Sequence, residues 1–162
     1  MDGFNHVEVL NYSGNIEGFE ALIAGLIGII LVFSVILFIV YAIAYMGIFK
    51  KAGEAGWKAF IPILSDHVIY KIGWSAKWFW IAIVLIVIDM IMWMSFNPIL
   101  MALSWIFTIA VIVISIMFAV KLSQSFGKSG LFAVGLIFLG PIFYYILAFG
   151  SAEYIEKENL IK

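Results

Sequence analysis

Asp89 is the one ionisable residue inside a long apolar run of this chain. A carboxylate at mid-membrane depth costs about 2.5–3.5 kcal/mol on insertion scales, so it calls for a partner. Ser104 and Thr108 stand four residues apart, and Ser115 stands seven beyond Thr108, a spacing that lines one face of a helix. The turn dipeptide Asn97-Pro98 would fold that helix back to the depth of Asp89. A hydroxyl of Ser104 or Thr108 could then donate to the carboxylate, with Tyr144 or Tyr145 as the next candidates. Two chemistries suit such a group. One is a proton or cation site, built as a ring of Asp89 in an oligomer. The other is structural, polar glue between helices or a carboxylate reaching water at the outer face, and it is the reading we favour.

Other reactive constellations fail on residue type. The chain has no Cys, which removes disulfides, thiolate metal sites and cysteine nucleophiles. Gly127-Lys128-Ser129 has the end of a phosphate loop, but Leu122 stands where its first Gly belongs and no strand precedes it. Asp66-His67 lacks the further ligands that a metal needs. An intramembrane serine mechanism needs a positioned base, and an aspartyl pair needs a second in-membrane carboxylate. We therefore expect no enzyme, no cofactor and no metal. The net charge is −1 and every basic residue is Lys, so no field for nucleic acid and no Arg clamp exists.

The elements that must position these residues are apolar helices. Hydrophobic residues make up 65% of the 162 and charged ones 12%, against roughly 45–50% and about 25% in a soluble domain. The fold class is all-α: a polytopic membrane protein with a four-transmembrane-helix bundle. An acidic N-tail (1–20) precedes a first span at 21–49, about 43 Å long as a helix. The second span is 78–95 and the third 98–120, with Asn97 as N-cap and Pro98 at the first helical position. After a polar loop at 121–130, the fourth span covers 131–149, kinked at Gly140-Pro141. A polar C-tail (150–162) follows.

Charge then sets orientation. Lys50, Lys51, Lys58, Lys71 and Lys77 lie between spans one and two, and Lys121 and Lys128 between three and four. Seven of nine Lys on one side should mark the cytoplasm. Both termini are then extracytoplasmic in the cell membrane. Trp57, Trp74, Trp78 and Trp80 fall near the inner face, while Trp93, Tyr144, Tyr145 and Phe149 fall near the outer one as membrane anchors. The bilayer is the first partner. Ala21-xxx-Gly25 and Ala24-xxx-Gly28 permit close approach of a membrane-protein partner or a second copy.

The Lys-rich loop at 50–77 reads as interfacial and partly helical. Trp57, Phe60, Ile61 and Leu64 share a helical face that Pro62 cuts short. Asp66 can cap a second short helix with Val68, Ile69 and Ile72 on one side. Gly53 and Gly56 permit turns at the end of the first span.

The stretch FKKAGEAGWKAFIPIL (49–64), then YKIG (70–73), SFGKSG (125–130) and GPIFYYILAFGSAEY (140–154), resembles a family of small, uncharacterised bacterial multi-pass membrane proteins. Their loop pattern is similar to FKKAGxPGWxALIP. Lys50, Lys51, Gly53, Gly56, Trp57, Pro62 and Lys71 lie in the matching blocks, whereas Ala55, Leu64-Ser65 and Asp89 depart from the pattern. In some members a similar domain precedes a type I signal peptidase module. The resemblance thus implies a link to protein export or envelope assembly. The expected function is non-enzymatic interaction with envelope or export machinery. The alternative is a subunit of a small ion or proton channel or transporter using Asp89.

Overall fold

A computed structural model describes residues 6–155. Every described regular element is helical: α1 (His6–Lys51), a 3-10 turn (Gly56–Phe60), α2 (Leu64–Gly73), α3 (Ala76–Met94), α4 (Pro98–Ser125), α5 (Gly130–Phe138) and α6 (Gly140–Phe149). The chain divides into two units, Met1–Ile39 and Val40–Lys162.

The first unit contributes only the leading part of α1. Nearly all its apolar side chains from Phe19 to Ile39 are exposed, among them Leu22, Ile29, Val32 and Phe33. Three helices are long and apolar enough to cross a bilayer: Gly18–Lys51, Ala76–Met94 and Pro98–Ser125. The helix begins earlier than the predicted span, since residues from His6 onward are already helical. The remainder of the predicted N-tail, residues 1–5, lies outside the described residues.

The second unit is built on the α3–α4 hairpin. Asn97 Oδ1 accepts from Ile99 N at 2.9 Å and Pro98 opens α4, as the sequence predicts. Ser75 Oγ accepts from Lys77 N at 3.4 Å at the start of α3. α4 continues through Lys121 to Ser125, so much of the predicted loop at 121–130 is helix. Its buried face, with Phe118, Ala119 and Leu122, explains the extension, because the helix packs on Ile69 and Ile72 of α2 and Leu136 of α5.

Residues 131–149 depart most from expectation. They are not one kinked span. α5 and α6 have nine and ten residues, about 14 and 15 Å each, against a hydrocarbon core of about 30 Å. They run back on each other. Phe143 on α6 packs edge to face on Phe132 of α5 at 4.8 Å. Gly135 supplies the room, because any Cβ there would collide with the Phe143 ring. The reversal falls at Leu139 (φ −125°, ψ 39°), directly before Gly140 and Pro141. Proline lacks the N–H that would continue α5, and Gly140 is buried under the Tyr41 hydroxyl, 2.7 Å from where a Cβ would stand.

The reversal returns the chain to where the hairpin began. Ile155 N donates to Ser125 O at 2.8 Å, and the Tyr154 ring lies 5.6 Å from that of Phe126. Residues 150–155 therefore sit at the Lys51 and Ser125 end of this unit. An uninterrupted fourth span would have carried them, with Tyr145 and Phe149, to the opposite end. Residues 156–162 of the expected C-tail lie outside the described residues.

Candidate functional site

The predicted loop residues assemble into an ordered platform where α1, α2, α4 and α6 end. It starts with Gly53 at φ 74°, a left-handed conformation suited to glycine. Glu54 N donates to Phe49 O (2.8 Å) and Gly53 N to Lys50 O (3.2 Å), which closes α1 with a Schellman pair. Gly56 follows against Met46 and Lys50, where a Cβ would come within 2.9 Å of the Met46 side chain. The turn holding Trp57 then runs to Phe60, short of Pro62, as the sequence predicts. α2 begins at Leu64, with Ile63 rather than Asp66 at its cap position. Asp66 instead lies in the first turn, where a carboxylate complements the helix dipole.

The closing turn of α1 aims Glu54 across the loop. Its two carboxylate oxygens accept from Lys58 Nζ at 2.6 Å and Lys71 Nζ at 2.7 Å. The Glu54 side chain is only 17% exposed. The hydrogen bonds from Lys58 and Lys71 hold its carboxyl far below the ordinary carboxylate range, at about 2. Burial, helped by the charge of Asp66, pushes the Tyr70 hydroxyl up. The Tyr70 ring stacks on Phe118 at 4.1 Å.

Lys51 ties the hairpin to this platform. Its ammonium donates to the carbonyls of Leu147 (2.7 Å), Gly150 (2.7 Å) and Ala152 (2.9 Å). The last carbonyls of a helix have no intrahelical donor, and a cation there also meets the negative end of the dipole. Lys51 thus caps α6 from another helix. Gly47, one turn earlier, lets α6 approach, since a Cβ there would lie 2.8 Å from Ala148 Cβ. Gly73 does the same between α2 and α4, with Leu122 Cβ at 3.0 Å. The Ser125 hydroxyl lies 2.9 Å from Lys121 O and 3.1 Å from Gly73 O, and Ser123 Oγ donates to Ser129 O at 2.8 Å.

The predicted intramembrane site is a separate pair on α3 and α4. Thr108 Oγ1 donates to Asp89 Oδ1 at 3.1 Å, and both residues are half-buried. Ser104 does not join them. It is fully buried and donates to Met101 O of its own helix at 2.8 Å. Ser115 likewise bonds Val111 O. Gly140 and Pro141 form the tip of the α5–α6 hairpin, beside Tyr41. The Tyr41, Tyr45 and Tyr144 rings meet edge to face there, with centroids 5.3–6.1 Å apart.

Sequence reasoning named Lys51 and Lys71 as loop residues but missed the capping role of one and the carboxylate partner of the other. It missed Gly47 and Gly135 altogether, and it quoted Ser125 in a motif block without its role. Charge complementarity within the run Lys51 to Lys58 was the available signal for Glu54; the glycines carried none.

Among the described residues no group of three His, Asp or Glu is placed to hold a metal ion. Comparison with curated proteins and with solved structures finds no match. A family model does match, over residues 57–157, from the platform turn to beyond the end of α6. That stretch is more than half of the chain, and the protein belongs to DUF5684, a family of unknown function.

Proposed function

We propose that this is a multi-pass protein of the bacterial cell membrane that acts without catalysis, through contacts made by its Lys-rich platform. Its partner is a protein of the envelope or export machinery. Three helices cross the bilayer in this reading, and the α5–α6 hairpin enters from the platform side and leaves by it. Tyr41 at the hairpin tip is ten residues from Lys51, a depth of about 15 Å. Lys50, Lys51, Lys58, Lys71, Lys77, Lys121 and Lys128 then share the platform side, the cytoplasmic face in this reading.

The use of the polar side chains supports the reading most. Lys51 and Ser125 bond backbone carbonyls of segments distant in sequence, Ser123 bonds the Ser129 carbonyl across the α4–α5 turn, and Glu54 joins Lys58 to Lys71. Their polar groups are used in building the platform surface. Trp57, Phe60 and Ile61 are left exposed on it.

A photo-crosslinking residue in place of Trp57 tests the proposal in cells. A discrete adduct with one protein, weakened when Glu54→Ala removes the carboxylate that joins Lys58 to Lys71, is the expected result. The second reading, a subunit of a small ion or proton channel or transporter, rests on the Asp89–Thr108 pair in two crossing helices. Ion flux in liposomes that Asp89→Asn abolishes, with no protein adduct, would replace the first reading with the second.

A further inference from the structure

Ile63 has a backbone conformation that β-branched residues avoid, with φ 68° and ψ −48°. Leu64 N donates to Pro62 O at 2.7 Å, so Pro62, Ile63 and Leu64 make a γ-turn of the rare, strained hand. Such strain persists only where the surroundings impose it, and it gathers at ligand sites. Here the turn sets the Ile63 side chain, 64% exposed, on the rim of an open groove of about 450 Å³. That volume is within the usual range of small-molecule sites, about 300–1,000 Å³.

The other lining residues are Pro62, Leu64, His67, Phe79 and Trp80. Phe79 is buried, and the His67 ring meets it edge on at 5.6 Å and lies 6.1 Å from Trp80. His67 is the one titratable side chain in the lining, and Trp80 adds an indole N–H. Lys77 is exposed three residues before Trp80, a spacing that puts both on one side of α3. The groove is therefore an apolar slot lined by an imidazole, with Lys77 one helical turn before Trp80.

We propose that this groove binds one anionic phospholipid of the platform-side leaflet, an acyl chain in the slot and the phosphate toward Lys77 and His67. The inference rests on the membrane reading above. Phe79 and Trp80 stand at the start of a helix long and apolar enough to cross a bilayer. Headgroup and acyl chain meet at that level, and Trp is favoured there. Lys58 and Lys71 share the one Glu54 carboxylate, so the cluster on the adjoining turn and helix keeps a net positive charge that favours an anionic head.

The test uses the full chain in nanodiscs, titrated with phosphatidylglycerol or phosphatidylcholine and read by native mass spectrometry. One retained phosphatidylglycerol per chain is expected, at least tenfold more tightly held than phosphatidylcholine. Lys77→Gln should lower that preference severalfold. Ile63→Gly should lower retention while raising the thermal midpoint, because glycine accepts the positive φ that isoleucine resists. A merely structural Ile63 would give the higher midpoint with retention unchanged, and that result overturns the site. Equal retention of both lipids, or capture of a protein segment in the groove, also overturns it. Vesicle flotation separates this failure from that of the membrane reading. A chain that floats with vesicles yet keeps no lipid loses only the lipid proposal.

Discussion

Lys51 has three N–H donors, and three backbone carbonyls of the α6 end take them. Replacing it with Met keeps the stem and leaves those carbonyls without their cation. We expect Lys51→Met to cost about 2–3 kcal/mol and to open residues 147–152 to protease, read by limited proteolysis in detergent. Glu54 offers a pH test. Its carboxyl titrates at about 2 when folded, below its ordinary 4.5. A depressed carboxylate stabilises the fold above the ordinary value and loses that contribution as pH falls through the folded one. Stability should therefore decline between about pH 4.5 and 2 in the native chain. Glu54→Gln should lose about 1 kcal/mol at neutral pH, a small figure because Lys71 is largely exposed. A thermal midpoint series against pH would show the native chain converging on the variant at low pH. Asp89 and Thr108 form a single pair, so a double-mutant cycle suits them. Bonds of this kind within membranes average about 0.6 kcal/mol. Asp89→Leu and Thr108→Val should each destabilise, with a coupling of that order between them.

At the scale of elements, glycine decides which helices can touch. Gly73 lets α2 approach α4, and Gly47 lets α6 approach α1. An added Cβ at Gly73 would meet Leu122 Cβ and the Phe118 ring, both at 3.0 Å. Gly73→Val should then cost about 1–3 kcal/mol through overpacking, measured as a lower unfolding midpoint in detergent. Gly130 meets nothing within 4 Å, so Gly130→Ala is the matched control and should be near neutral. These elements were unequally legible in the sequence. Asn97-Pro98 announced its turn, because capping chemistry is local. Pro62 ended the platform turn for the same reason. The break at Gly140-Pro141 was legible as a disruption, but its size was not. A kink and a full reversal begin with the same missing N–H. What separates them is Phe143 closing over Gly135, a contact between residues eight apart that no periodicity encodes.

For the whole molecule, the apolar composition indicated the class and the Lys distribution suggested a side, but neither set the number of crossings. Counting by hydropathy treats residues 131–149 as one span, because two half-length helices have the same composition as one full helix. The difference lies in where residue 150 ends up, and the Lys51 bonds to Gly150 and Ala152 place it at the platform. The chain contains no Cys, so a single introduced thiol reports its own side of the membrane. Glu153→Cys probes the segment after α6, and Phe96→Cys probes the exposed α3–α4 turn. Labelling with a membrane-impermeant maleimide in intact cells and after lysis is the most direct test. The Phe96→Cys chain should be labelled in intact cells, whereas the Glu153→Cys chain should be labelled only after lysis. Labelling of both variants in intact cells would restore the fourth crossing and contradict the re-entrant hairpin.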